Sequence, residues 1–442
     1  MKPCVLLTDF YELTMMQAYF EQRMLGVAVF EFFVRDLPDQ RNFLLAAGLD
    51  QVLDYLETVR FTDEELAWLA GTGRFTRAFV DSLAGFRFTG EVDAMPEGTL
   101  CFADEPMLRV VAPLPEAQLV ESRVMNLLHF QTMIASKAAR AVLAAPERVL
   151  VDFGLRRAHG AEAGLLSARA SWLAGFSGTA TVQAGRLYDI PLYGTMAHSY
   201  VQAFGDEMMA FEHFVRSQPD NAVLLIDTYD TERAAGRVVE LAARLGGEGL
   251  SIKGVRIDSG DLGALARKVR ATLDRGGFPD ITIFASGNLD EFRLRELVES
   301  EAPIDGFGIG TRMNTSADRP YLDSAYKLQE YDGEARRKRS AEKATWPGRK
   351  QVWRRRDASG LLAGDTLGLA TDDTEGEPLL VPVMRAGRRL APPDTLAAAR
   401  RRAAAALASL PASLRRLDRP STYDAEVSPS VRALADEVDR RT

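Results

Sequence analysis

Charged and glycine-rich clusters recur at the ends of short apolar runs in the middle of this chain. In Arg256-Ile257-Asp258-Ser259-Gly260-Asp261 a guanidinium stands close to two carboxylates. Arg256 offers a planar fork that matches a phosphate. Asp258 and Asp261 offer hard oxygen ligands for ribose hydroxyls or for Mg2+. A plain salt-bridge network is the other reading of the same residues. In Gly306-Phe307-Gly308-Ile309-Gly310-Thr311 the glycines let backbone N–H groups approach an anion. Further ends are Asp152-Phe153-Gly154 with Arg156-Arg157 behind it, Asp227-Thr228-Tyr229-Asp230, and Ser286-Gly287-Asn288. His198 lies among small residues in Gly194-Thr195-Met196-Ala197-His198-Ser199. It is either a structural imidazole or, with a carboxylate to fix its tautomer, a nucleophile or base. His129 falls inside a helical run and is read as structural.

These residues need elements to present them. Apolar runs at Val149–Phe153, Leu173–Phe176, Ile190–Tyr193, Ala222–Asp227, Gly254–Ile257, Ile281–Ala285 and Asp305–Ile309 read as strands. Helical patterns lie between most of them, at Thr231–Leu245, Leu262–Arg275 and Asp290–Ser300, the last with Asn288 as its expected cap. Strand–helix repetition implies a parallel sheet and an α/β fold. About seven units favour a barrel, whose strand carboxyl ends build the active site. Helix caps and turns are the alternative account of the same polar ends. Glu116–Ala145 reads as one long helix, and Thr395–Leu417 as an Ala/Arg/Leu-rich helix broken at Pro411. Residues 1–115 show shorter alternating runs, such as Val29–Val34 and Leu108–Val111, and read as an α+β domain. The barrel is then expected over 116–325 and a separate segment over 326–442.

Composition narrows the partners. The chain has 442 residues, 46% hydrophobic and 26% charged, enough apolar mass for a large core. A net charge of -8 disfavours general nucleic-acid binding, so an anionic ligand must meet local basic clusters. Ten Lys and Arg residues in Arg336–Arg356 read as a solvated loop or a lid over phosphates rather than an RNA patch. Two distant cysteines, Cys4 and Cys101, fit a reducing cytoplasm. Asp9 and Glu12 interrupt the N-terminal apolar stretch as a signal peptide would not, and no apolar run is long enough for a membrane span.

Several segments together resemble the nicotinate phosphoribosyltransferases. They are Thr8-Asp9-Phe10-Tyr11-Glu12-Leu13-Thr14-Met15, Asp152-Phe153-Gly154-x-Arg156-Arg157-Ala158, Gly194–Ser199, Arg256-x-Asp258-Ser259-Gly260-Asp261-Leu262, Gly308-x-Gly310-Thr311 and Lys343-x-Thr345-x-Pro347-Gly348-x-Lys350-Gln351-Val352. Their order agrees from residue 4 to about residue 417. The resemblance implies a type II phosphoribosyltransferase fold: an irregular α/β barrel plus an α+β domain assembled from the N- and C-terminal segments, in a homodimer with shared active sites. It implies that nicotinate and phosphoribosyl pyrophosphate (PRPP) are joined with ATP and Mg2+. It assigns Phe153 to one face of the pyridine and Tyr11 of the partner subunit to the other. Arg156 and Arg256 grip the nicotinate carboxylate and PRPP, Asp258 holds the ribose hydroxyls, and Gly287, Gly308 and Gly310 hold the 5′-phosphate. Thr179, Ser286 and Thr311 complete the substrate contacts, and Arg35 reaches the neighbouring site. His198 is expected to be phosphorylated by ATP, with Asp230 orienting it.

The ring substituent has its own signal. In nicotinamide-using relatives the segment like Phe176-Ser177-Gly178-Thr179-Ala180 ends in an aspartate, which would accept from an amide and repel a carboxylate. Ala180 here favours the acid, although many nicotinate enzymes carry serine. The rival readings are a nicotinamide-using enzyme, a sugar-phosphate barrel enzyme and a noncatalytic ligand sensor. An aldolase would want a strand-end lysine, and Lys253 instead precedes its strand.

Overall fold

Six short runs, most of them apolar, lie side by side in one parallel sheet. The order is Gly178–Thr179, Val149–Asp152, Gly306–Ile309, Thr282–Ser286, Gly254–Ile257 and Val223–Leu225. The computed structural model describes residues 4–340, 343–418, 421 and 423–441. Parallel neighbours require crossover connections, and helices Ala161–Ala174, Thr231–Gly246, Leu262–Arg275 and Glu291–Glu299 serve as them. Their buried positions recur at helical spacing: Ala234, Val238, Leu241 and Leu245 in one, Leu262, Ala266, Val269 and Leu273 in another. The last strand pairs with the first, so the sheet curls on itself. Its opening falls between Gly178–Thr179 and Val223–Leu225. There Thr179 makes a lone parallel bridge to Leu192, and Asn221 Nδ2 donates to the Gly194 carbonyl at 2.7 Å. A cavity of about 200 Å3 inside the curl is lined from both edges, by Phe153 and Phe284 as well as Tyr193 and Val223. This is an irregular α/β barrel, in the unit Lys137–Asp318.

Two expected strands differ. Leu173 and Ala174 end the helix Ala161–Ala174, which stops at Gly175 with φ 128°, so the strand begins only at Gly178. Ile190–Tyr193 contributes the single bridge at Leu192. The cap of helix Glu291–Glu299 is Asp290, whose carboxylate accepts from the Arg293 N–H at 2.9 Å, whereas Asn288 sits in a left-handed turn with φ 49°.

The second unit joins the residues up to Ser136 with those from Arg319 onward. The boundaries therefore lie at 136 and 318 rather than at 115 and 325. Its antiparallel sheet interleaves both chain ends, with Val27–Val34 between Ser324–Tyr331 and Leu108–Pro113, and Val381–Arg385 beside Glu91–Ala94. Val27–Val34 does not alternate: every residue after Val27 is buried. Glu31 within it is neutralised by Lys350, which donates from Nζ at 2.7 Å and from its backbone at 2.9 Å. Arg354 is likewise buried and forked on Asp365. These two cations belong to the strand Lys350–Arg356, so Lys350 and Arg354 of the basic stretch are core rather than part of a solvated loop, while Arg355 and Arg356 are exposed. The expected helix Glu116–Ala145 is two, Leu114–Leu119 and Glu121–Ala144. His129 in the second accepts from the Leu322 N–H through Nε2 at 2.9 Å, a structural imidazole. The Ala/Arg helix runs only Leu396–Ala408, capped by the Thr395 hydroxyl.

Candidate active site at the carboxyl ends of the barrel strands

The strand Gly254–Ile257 delivers Arg256 and Asp258 to the rim. The Arg256 guanidinium lies over the Phe153 ring, its Cζ 5.9 Å from the centroid, and donates to Thr195 Oγ1 at 2.8 Å. Its Nε is buried without a hydrogen-bond partner among the described residues, which leaves a donor for a ligand. Burial lowers this guanidinium from its ordinary value, while Asp258 and Asp227 pull it the other way. Phe153 is held by its own N–H on the Ile309 carbonyl at 2.8 Å. A Cβ on Gly308 would come within 2.4 Å of the Phe153 ring, so glycine there lets the ring lie flat on the neighbouring strand.

Asp258 accepts from the Ser286 hydroxyl in a short hydrogen bond, and its N–H donates to Asp227 Oδ2 at 2.9 Å. Ser259 Oγ donates to the same Asp227 oxygen at 2.6 Å. Gly287, with φ 97°, packs so closely that a Cβ would fall 2.1 Å from the Asp258 carbonyl oxygen. The Thr311 hydroxyl accepts from Arg157 Nη1 at 2.9 Å, which ties the glycine-rich end to the Phe153 loop. Gly310 packs against the Phe153 backbone. Arg156 is exposed in the turn after Phe153.

His198 opens the helix His198–Phe204 with its side chain 40% exposed. Nδ1 shares a hydrogen bond with Thr228 Oγ1 at 3.1 Å, and Nε2 stands 3.9 Å from Asp227 Oδ1. That oxygen is buried and accepts no hydrogen bond among the described residues. Asp230, expected to orient the imidazole, instead caps the helix Thr231–Gly246 by accepting from the Arg233 N–H at 2.9 Å. Asp261 does the same for Leu262–Arg275, from the Ala264 N–H at 3.2 Å. Asp227, Thr228 and Thr195 lie in segments the sequence singles out, but it gives them no individual role. The usable signal was position: Asp230 directly precedes a helical run, where a carboxylate caps, and Asp227 ends the strand.

Thr179 is fully buried, and its hydroxyl donates to Asp152 Oδ2 at 2.8 Å. Its side chain is therefore spent inside the protein and is not presented to a substrate. Ala180 follows it, exposed. Tyr11 and Arg35 belong to the other unit. Tyr11 is 45% exposed on the helix Phe10–Glu21, its phenol raised by burial and by Glu121 and Glu12. Arg35 Nη1 is bound to Asp323 at 2.8 Å.

Among the described residues no three His, Cys, Asp or Glu side chains are grouped to hold a metal. Asp258 and the unpartnered Asp227 oxygen fit the other mode available to Mg2+, one or two carboxylates with the substrate's phosphates supplying the remainder.

Three family models match the chain in sequence: the nicotinate phosphoribosyltransferase N-terminal domain over residues 6–129, the nicotinate phosphoribosyltransferase family over 149–337, and the C-terminal domain over 369–435. The Mycobacterium tuberculosis protein named nicotinate phosphoribosyltransferase pncB2 is 50% identical over 427 residues, 96% of this chain and 91% of that one. The Bacillus subtilis nicotinate phosphoribosyltransferase is 40% identical over 357 residues, 78% of this chain and 72% of that one. The crystal structure of human nicotinic acid phosphoribosyltransferase superimposes with a TM-score of 0.87 at 29% identity, covering 98% of this chain and 99% of that one. With a rim of this chemistry and relatives this similar along nearly its whole length, the chain belongs to the nicotinate phosphoribosyltransferase family.

Proposed function

We propose that this chain joins nicotinate to PRPP, releasing pyrophosphate and forming nicotinate mononucleotide for NAD salvage. The supporting observation is the convergence of Phe153, Arg256, Asp258 and His198 at the carboxyl ends of one parallel sheet, with Arg256 Nε and Asp227 Oδ1 left for ligands. Phe153 carries the pyridine ring. Arg256 and Arg156 meet the nicotinate carboxylate and the phosphates. The ring nitrogen attacks C1 of the ribose as the C1–oxygen bond to pyrophosphate breaks. Positive charge grows on the sugar and the pyridine while negative charge grows on the leaving group. Arg256 stabilises the anionic side, and the carboxylate of Asp258 fixes the ribose hydroxyls. Mg2+, carried on the pyrophosphate, neutralises its charge when bound.

His198 takes the terminal phosphoryl group of ATP on a ring nitrogen, and ADP leaves. Asp227, rather than Asp230, is the carboxylate that steadies the imidazole. The phosphorylated state binds PRPP differently, a coupling of about 1–3 kcal/mol, and hydrolysis after turnover draws the reaction forward. The enzyme acts as a cytoplasmic homodimer in which Tyr11 of the partner subunit covers the second face of the ring and Arg35 of the partner subunit joins the site. The exposed Tyr11 leaves its ring available to a partner subunit. Ala180 in place of an acid favours the nicotinate carboxylate.

The test is product identification by mass spectrometry after incubation with nicotinate, PRPP, Mg2+ and ATP, alongside nicotinamide as the competing substrate. His198→Ala is expected to keep slow PRPP-dependent synthesis and lose its stimulation by ATP. Equal stimulation in variant and parent would remove the phosphohistidine. A Tyr11 variant mixed with an Arg256 variant should regain activity in heterodimers, and failure in verified heterodimers would mean the sites are not shared.

A further inference from the structure

Asp152 ends the first barrel strand fully buried and takes no part in the chemistry above. Each of its oxygens accepts one hydrogen bond, Oδ1 from the Gly154 N–H at 2.9 Å and Oδ2 from the Thr179 hydroxyl at 2.8 Å. The Thr179 oxygen accepts in turn from the Thr181 N–H at 3.0 Å, so its proton is committed to Asp152. The backbone ties the same two segments, since the Ala180 N–H donates to the Asp152 carbonyl at 2.8 Å. Both side-chain partners are donors, and an ionised carboxylate accepts at both oxygens without an O–H of its own to place. A carboxamide has one acceptor and would set an NH2 against a donor. Among the described residues no cation acts on the group, and burial pushes its carboxyl up to about 6. An uncompensated buried carboxylate is a costly way to clamp a loop that a neutral side chain would hold. What it clamps explains its presence. One segment carries Phe153 and Arg156, the other leads through Thr179 to Ala180, and Gly154 is pinned from its far side by Asn314, whose amide leaves no room for a Cβ.

We propose that Asp152 is a positioning residue for the pyridine pocket: its carboxylate ties the Gly154 N–H to the Thr179 hydroxyl and so fixes Phe153 and Arg156 against the Ala180 wall. It touches no substrate and acts through those neighbours. The proposal rests on the nicotinate reading of this site.

The experiment is steady-state kinetics of the full-length enzyme, with KM for nicotinate and KM for PRPP measured separately in the parent, Asp152→Asn and Thr179→Val. Loss of one hydrogen bond to a charged group should raise the nicotinate KM about tenfold in Asp152→Asn and leave the PRPP KM within about twofold. Thr179→Val removes the same hydroxyl with little change of shape and should move the nicotinate KM in the same direction. Equal rises in both KM values would reduce Asp152 to general scaffolding, and unchanged values would overturn the proposal outright. Should Asp152→Asn fail to fold, Thr179→Val decides alone by the same criterion. A parent without nicotinate activity would sink the functional reading and this proposal together, whereas an active parent with unmoved variants sinks only the proposal.

Discussion

The barrel rim carries acids in pairs three residues apart, and the two members of each pair do different work. Asp227 and Asp258 sit at strand tips, where they bind each other's surroundings: Asp227 takes the Asp258 N–H and the Ser259 hydroxyl, and Asp258 takes the Ser286 hydroxyl. Asp230 and Asp261 stand one turn later and cap the helices that follow. The capping members are exposed and satisfy N–H groups that no helix can satisfy for itself. The tip members are only partly exposed and stand beside His198 and Arg256. Identical side chains at nearly identical places thus divide into those that could be serine and those that could not.

The largest effect expected from that division is at Asp227. Asp227→Asn should lower the ATP-stimulated rate by about 3 kcal/mol, roughly a hundredfold, read as pyrophosphate release with ATP present. Asp230→Asn, which keeps a capping oxygen, should leave that rate near the parent's. Comparable losses in both variants would erase the distinction.

Asp152 sharpens the comparison because it is a tip acid with Leu155, not a cap, three residues on. Its folded pKa is raised to about 6, so its contribution to stability is greatest at acid pH and is lost as pH rises through about 6. Above that, the ionised group costs about 3 kcal/mol relative to an unperturbed carboxyl. Asp152→Asn should therefore gain on the parent in unfolding midpoint between about pH 4.5 and pH 7.5. A difference that stays flat with pH would show that the carboxyl is not buried uncompensated. Next in size is Gly287→Ala. Its φ of 97° and the Asp258 carbonyl oxygen 2.1 Å from a Cβ leave no room. The strain, about 2 kcal/mol, should fall on Asp258 and appear mainly as a raised KM for PRPP. A KM that does not move would free Asp258 from dependence on that turn.

How far this was legible in the sequence depended on the length of the signal. Gly254–Ile257 and Leu262–Arg275 stand where the pattern put them, because a β-branched run followed by an amphipathic one is unambiguous. Leu173–Phe176 misled because its apolar residues finish a buried helix, while the true strand, Gly178–Thr179, is two residues long and has no periodicity to read. Arg256, Asp258 and Phe153 were visible as chemistry at strand ends. The choice between Asp227 and Asp230 was legible only as position within one tetrapeptide, Asp227 at the end of the strand and Asp230 preceding the helix. Thr179 was carried as a substrate contact, and burial against Asp152 is a property no linear pattern reports.

The smallest effects test the capping half of the comparison. Asp230→Ala and Asp261→Ala each remove the acceptor for one helix-start N–H, at Arg233 and Ala264. Each should lower stability by about 1 kcal/mol, visible as a lower denaturation midpoint, while turnover of nicotinate at saturating PRPP and ATP stays within about a factor of two of the parent. Serine at either position supplies a shorter acceptor to the same N–H and should restore most of the midpoint. The two readouts are independent, which gives the pair its value. A large fall in turnover with the midpoint unchanged, at Asp230 above all, would mean that its carboxylate leaves the helix end to meet the phosphorylated imidazole, and the pairing of tip acids with chemistry and later acids with caps would fail there.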